Sequence, residues 1–144
     1  MRIKFFGTGL ILSLFISCWK NEKESMIPSH IPPALYSLDG DVNKLEWERW
    51  GRLLFYDKGL SRDSSISCGS CHAQVHGFAD HGTSLSTGID GKKGTRNSPA
   101  IFNVAWNTSF MWDGGINHIE VMPIAPLTNH VEMDLSMSDV VSRV

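Results

Sequence analysis

Cys68-Gly69-Ser70-Cys71-His72 is the stretch whose reading decides the fold. On a helix, positions i, i+3 and i+4 share a face, so two thiols three apart project to one side and an imidazole follows them. Each thiol can add to one vinyl group of a porphyrin, and the imidazole then reaches the iron from the same side. Gly69 and Ser70 are small and let such a helix lie close to a flat ring. A Cys-x-x-Cys-His string is the attachment motif of covalent c-type haem. Two other readings compete. A redox dithiol would follow a strand in a βαβ pattern, and the sequence has none. Half of a zinc site would need a second pair of ligands, whereas the remaining cysteine, Cys18, stands alone far upstream. Cys68 and Cys71 are therefore read as the haem-binding thiols and His72 as the iron ligand.

Cys18 has its own explanation. Arg2 and Lys4 form a short positive region, Phe5 to Ile16 is mostly apolar, and small or polar residues follow. That is the layout of a secretory signal, too short for a comfortable transmembrane helix. Leu14-Phe15-Ile16-Ser17-Cys18 resembles a bacterial lipobox, in which the cysteine becomes lipid-modified and the first residue of the mature chain. Lipoproteins carry more than one acyl chain, enough for stable anchoring. The expectation is a lipoprotein-type signal over 1–17, a polar Pro-containing tether over 18–40 and one domain over 41–144. The location is then the periplasm or cell envelope, with a membrane anchor at Cys18.

Within the domain, Val42, Leu45, Trp50, Leu53 and Leu54 recur at helical spacing and predict a helix to Tyr56, with Asp41 as N-cap and Asp57-Lys58-Gly59 as its stop. A short helix is expected from Cys68 to about Val75. Gly77 to Pro99 is rich in glycine and lacks an apolar period. Loops of that length are usually functional, and this one directly follows the haem motif, so it is read as a wall of the pocket. Ile101 to Trp112 fits either a short helix or an extended segment. Asn117 to Met122 fits a short helix ended by Pro123 and Pro126. Ser136-Met137-Ser138-Asp139 is a helix start, with the chain stopping at Val144 just inside it, as a fragment of a longer protein would. The fold class is mainly α, a cytochrome c-like haem domain with long loops.

The chain of 144 residues is 42% hydrophobic with a formal charge of −2. Near-balance argues against a nucleic-acid partner, which would select a clearly basic surface. Lys92, Lys93 and Arg96 form a small basic loop, and the region after Asp113 is acidic; both read as solvated surface. A strong second iron ligand would make an electron carrier, and an open position a catalyst. His76 follows His72 by one turn on the same side and is a poor distal ligand. His81, Met111, Met122 and Met133 have suitable chemistry, although a lone Met is more often core. His30, His118 and His130 read as surface.

At this point the sequence resembles a known family. Gly51-Arg52-Leu53-Leu54-Phe55-Tyr56-Asp57, the haem motif, Gly77-Phe78-Ala79-Asp80, Gly94-Thr95-Arg96-Asn97-Ser98-Pro99, Asn103, Met111-Trp112-Asp113-Gly114-Gly115 and Val131-Glu132-Met133 follow one another as in the N-terminal haem domain of bacterial dihaem cytochrome c peroxidases. That family includes the dihaem enzyme that matures the methylamine dehydrogenase cofactor. The resemblance implies two mostly helical domains with one haem each, the front haem meeting peroxide and the rear one supplying electrons. It implies that His72 is the proximal ligand of the front haem, that Glu132 is the distal proton-moving glutamate, that Trp112 relays electrons between the haems and that Asn97 borders a calcium site. Read without the resemblance, Trp112 is equally a core residue and Asn97 a turn residue.

Three departures qualify it. No second Cys-x-x-Cys-His is present, so the second haem is expected in a missing half. Many family peroxidases carry a distal histidine in the Gly-rich loop, where this chain has Gly88-Ile89-Asp90; its absence predicts an iron site open at rest. Met122 stands where many members have glutamine. The function implied is reduction of hydrogen peroxide with electrons from a small redox protein such as a cytochrome c. The alternatives are a monohaem electron carrier, a dihaem-type oxidase of a protein or small molecule, and an inactive truncated product.

Overall fold

The computed structural model describes residues 28–37, 40–80 and 82–144. The signal segment, Cys18, Asp39, His81 and most of the tether lie outside them. Two compact units divide the chain, 1–32 and 33–144. Of the first, residues 28–32 are described, and the Ile31 N–H donates to the Pro28 carbonyl at 2.9 Å. The second takes in Pro33–Ser37, ahead of the boundary expected at 40. The Leu35 and Tyr36 amides both donate to the Ala105 carbonyl (2.8 and 3.2 Å), and the Tyr36 ring meets Phe110 and His118 edge-on or tilted.

The described part of this unit is helical and looped, with three isolated antiparallel bridges and no strand. Its helices are α1 (Lys44–Tyr56), α2 (Cys68–Cys71), α3 (Ile124–Thr128) and α4 (Met137–Arg143). None of them is long and apolar enough to cross a membrane. Helix α1 begins later than expected. Asp41 does not cap it; its carboxylate accepts the Asn43 N–H at 2.8 Å in a local turn, and Asn43 takes the N-cap place. At the other end Asp57 turns to extended backbone and its carboxylate accepts the Gly59 N–H at 2.7 Å. The expected apolar stripe is not buried: Val42 and Leu45 are 95% and 81% exposed, and Trp50 and Leu53 about half. Only the edge bearing Gly51, Leu54 and Phe55 faces inward, onto a large cavity.

Helix α2 is one turn, not two. The Ser67 N–H donates to Ser70 Oγ at 3.0 Å at its start, and His72 has already left helical backbone (φ −126°, ψ 68°), with its N–H closing the turn on Cys68 O at 2.9 Å. The chain then folds back, bridging Ala73 to Ala79 around a 3-10 turn at Gln74–His76. Gly69 also serves the contact between helices: a Cβ there would stand 2.6 Å from the Tyr56 ring, so the bare backbone lets α1 and α2 touch.

The helix expected at Asn117–Met122 is only turns, and the prolines do not end a helix but start one. Pro123 is the N-cap of α3 and Pro126 lies in its first turn, where a missing N–H costs nothing because those amides have no partner inside the helix. Ile101–Trp112 contributes one 3-10 turn, Val104–Trp106. At α4 the sequence reading holds, with Ser136 Oγ accepting the Asp139 N–H at 3.1 Å.

Candidate haem site

A cavity of about 980 Å³ lies within the second unit, lined mostly by carbon. That is the upper end of the range of roughly 300–1,000 Å³ for small-molecule sites. Cys68, Cys71, His72, Asn97, Trp112 and Glu132 all line it, so the structure brings every candidate site residue within the described part to one chamber. Residues of the Gly-rich loop, from Ser86 to Pro99, line it as well.

The α2 end of the chamber suits a covalent porphyrin. Both thiols are free and half-buried. Burial pushes both above their usual range, opposed at Cys71 by a hydrogen bond from Ser86. Redox-active dithiols need the opposite, a lowered value in an electropositive setting. His72 Nδ1 lies 3.0 Å from the Phe78 carbonyl oxygen. A carbonyl only accepts, so Nδ1 carries the hydrogen and Nε2 keeps its lone pair, the arrangement of a metal-binding imidazole with its outer hydrogen bond in place. Phe78 offers that carbonyl through a left-handed backbone (φ 58°) following Gly77 (φ 65°), and its ring packs on Phe55. These donors and this volume fit a haem c.

Glu132 approaches from the turn after α3. Asn129 organises that turn: its backbone carbonyl accepts the Glu132 and Asp134 amides (2.9 and 3.1 Å) and its side-chain oxygen the Val131 N–H (3.2 Å). Its side-chain amide donates to Glu132 Oε1 at 2.7 Å. The Gly-rich loop docks against the same turn, with the Ile89 N–H on Glu132 O at 2.9 Å. Arg62 ties the two together. Its guanidinium takes both oxygens of Asp90 at 2.7 Å and one of Asp134 at 2.8 Å, while its backbone N–H donates to Met133 O at 2.9 Å.

The basic loop is therefore more than solvated surface. Lys92 reaches Asp90 (3.3 Å) and His130 O (3.3 Å), Arg96 pairs with Asp113 (2.9 Å), and Lys93 and Arg96 line the cavity. His30, His118 and His130 are exposed as expected, yet His130 also lines the chamber, as do Met111, Met122 and Met133. Ile89 is fully buried. Trp112 is not a core residue; it is 62% exposed, and its indole N–H donates to Asn97 O at 2.6 Å. The Asn97 side chain donates to the Thr83 and Ser84 carbonyls (3.3 and 3.4 Å).

Arg62, Asn129 and the Phe78 carbonyl escaped the sequence reading. Asn129, three before the glutamate, carries a turn signal in its residue type; nothing local marks Arg62, whose partners lie 28 and 72 residues away. The Arg62 and Lys92 hydrogen bonds hold the Asp90 carboxyl below its usual range. A depressed carboxyl contributes stability above its unfolded value, about 3.9, and loses it as pH falls through the folded one. Arg62→Met should therefore lower the melting temperature at pH 7, and by less at a pH taken well below about 4. A gap of the same size at both pH values would show that Arg62 acts through packing alone.

The comparisons agree with this geometry. The profile of the di-haem cytochrome c peroxidases matches residues 46–144, and the chain belongs to that family. It is 38% identical over 94 residues to methylamine utilization protein MauG of Methylorubrum extorquens, covering 65% of this chain and 26% of that protein. With cytochrome c551 peroxidase of Pseudomonas aeruginosa it shares 34% identity over 113 residues, 78% of this chain and 32% of the peroxidase. A solved MauG-like protein associated with microbial copper homeostasis superposes with a TM-score of 0.71 at 32% identity, over 83% of this chain and 34% of its own. The chain thus spans about a quarter to a third of the length of these relatives.

Proposed function

We propose that this chain is the front, peroxide-reducing haem domain of an exported cytochrome c peroxidase-type enzyme. The observation that carries the reading is the single chamber lined at once by Cys68, Cys71, His72 and Glu132. Reduction of hydrogen peroxide consumes two electrons and two protons and yields two waters; a bound haem supplies the redox centre at which the O–O bond is cleaved. The chain's residues do the rest. The thiols would hold the ring covalently, and His72, its tautomer set by Phe78 O, would offer Nε2 to the iron. Lys93 and Arg96 are cations on the cavity wall for the haem carboxylates. Glu132 takes a proton from the near oxygen of peroxide and returns it to the far one, so that water leaves. Trp112, exposed beside Asn97, relays electrons arriving from a second haem or a small redox protein such as a cytochrome c. Calcium beside Asn97, a second haem domain outside this chain and a lipid anchor at Cys18 in the periplasm belong to the same reading.

Ile89 favours the variant in which the iron is open at rest. It stands, wholly buried, in the segment where many family peroxidases place a blocking histidine, and the relatives include methylamine utilization proteins. The test is an absorption spectrum of the haem-loaded chain with and without peroxide. A high-spin ferric spectrum that changes with peroxide is expected. A low-spin spectrum indifferent to peroxide would mean that a side chain such as Met111, Met122 or Met133 fills the site, and that the protein is an electron carrier. Glu132→Gln should slow the peroxide-driven change by about 10²–10⁴-fold, the usual span for one acid–base group, with the haem retained. An unchanged rate would remove Glu132 from the chemistry.

A further inference from the structure

We propose that Asn129 is the positioning residue of the peroxide site, aiming the Glu132 carboxylate through its side-chain amide while its side-chain oxygen builds the turn that carries it. The inference rests on the role given to Glu132 above. Asn129 is half-buried and uses both ends of one amide: the oxygen accepts the Val131 N–H at 3.2 Å, and the nitrogen donates to Glu132 Oε1 at 2.7 Å. An amide does both at once because it carries acceptor and donor on separate atoms of one rigid plane. One Glu132 oxygen is thereby fixed, and the orientation of the other follows. Proton transfer requires that oxygen within hydrogen-bond reach of its partner, and an error of an ångström in such a group costs about 100-fold.

The division of labour makes the two functions separable. Asn129→Asp keeps the acceptor for the Val131 N–H, and so the turn, but sets a second carboxylate against Glu132. Two carboxylates sharing a site cannot both ionise easily, so the pair holds a proton to higher pH. Asn129→Ser keeps a weaker turn acceptor and puts no charge beside Glu132. The other titratable side chains on the chamber are Cys68, Cys71, His72, Lys93, Arg96, Asp113 and His130. Glu132→Gln and His130→Gln identify which limb of a pH profile belongs to Glu132.

The experiment uses the haem-loaded chain with hydrogen peroxide and, separately, with cyanide. Cyanide binding to the ferric haem also needs a proton removed from its ligand, but consumes no electrons. Rates of both spectral changes are recorded from pH 4 to 9, with circular dichroism and the haem band as controls of folding. The expected result is that the acid limb, absent in Glu132→Gln, moves up by about one to two pH units in Asn129→Asp and by less in Asn129→Ser. On the acid side of the wild-type limb the peroxide rate should then fall by about 10- to 100-fold, the change that a one- to two-unit displacement carries. A limb unmoved in either folded variant overturns the proposal, because a residue that merely builds the turn would not shift it. Persistence of the limb in Glu132→Gln defeats the underlying role of Glu132 instead, and the proposal falls with it. The wild-type protein gives a third reading that needs no Asn129 variant: the infrared carboxylate bands assigned to Glu132 by its Gln variant should show a strong hydrogen bond, and free-carboxylate frequencies would overturn the proposal.

Discussion

Cys68→Ser with Cys71→Ser should leave a chain that carries no covalent haem and shows no cooperative melting. The expected loss of the haem band on a denaturing gel is complete, because both attachment atoms are gone. The loss of folding is the less obvious half, and it follows from where the apolar surface lies. Among the described residues only Leu60, Ile89, Phe110, Met133 and Leu135 are buried apolar side chains. Further apolar side chains, such as Leu54, Phe55, Ile66 and Leu127, instead wall a chamber of about 980 Å³. An empty apolar chamber forfeits the contacts that would have lined it, and cavity volume destabilises in proportion to its size. Ordering each residue costs on the order of 1–2 kcal/mol, which five buried side chains cannot offset. On this account a bound haem would complete the core of the domain. The single variant His72→Ala separates the two contributions: it should keep the covalent haem and the apolar filling, lose the ligand beneath the iron, and melt cooperatively at a lower temperature. A double cysteine variant that melts like the loaded protein would overturn this account.

Cys68, Cys71 and His72 were singled out from five consecutive residues because the motif has a fixed spacing, and the structure sets them on one cavity; α4 was legible from its Ser-x-x-acid start. What failed were inferences that depended on surroundings. The stripe of α1 was legible as helix, but its periodicity could not say that Val42 and Leu45 would stand in solvent while Leu54 and Phe55 face a chamber. Pro123 and Pro126 looked like stops because proline breaks helix interiors, yet in a first turn it is harmless. The contact of Gly69 with Tyr56 was likewise beyond any local pattern. The Arg62 bridge from Asp90 to Asp134 joins segments that no local pattern connects, and it is this long-range tie that holds the Gly-rich loop to the Glu132 turn.

Gly88→Ala should be the most damaging single-methyl addition to the site. A Cβ at that position would lie 2.1 Å from the Val131 carbonyl oxygen, 2.8 Å from Glu132 Cα and 2.9 Å from Glu132 O. All three are backbone atoms, so no side chain can rotate away and the two segments must separate. Their separation breaks the Ile89 N–H bond to Glu132 O, now 2.9 Å, and strains the Arg62 bridge beside it. Overpacking of this kind costs about 1–3 kcal/mol, occasionally more, and the backbone contact puts this case at the upper end. In a domain of this size each kcal/mol lowers the melting temperature by roughly 4–8 °C, so a drop on the order of 10–20 °C is expected by calorimetry of the haem-loaded protein. The effect on chemistry should exceed what stability alone explains. The thiols and His72 lie on a separate segment, α2 and its bridge, so their attachment to a haem should persist, whereas Glu132 moves with the turn that Gly88 displaces. Below the new melting temperature the covalent haem should therefore be intact while peroxide reacts at least tenfold more slowly. Wild-type peroxide kinetics in a stably folded Gly88→Ala protein would mean that the loop does not position Glu132.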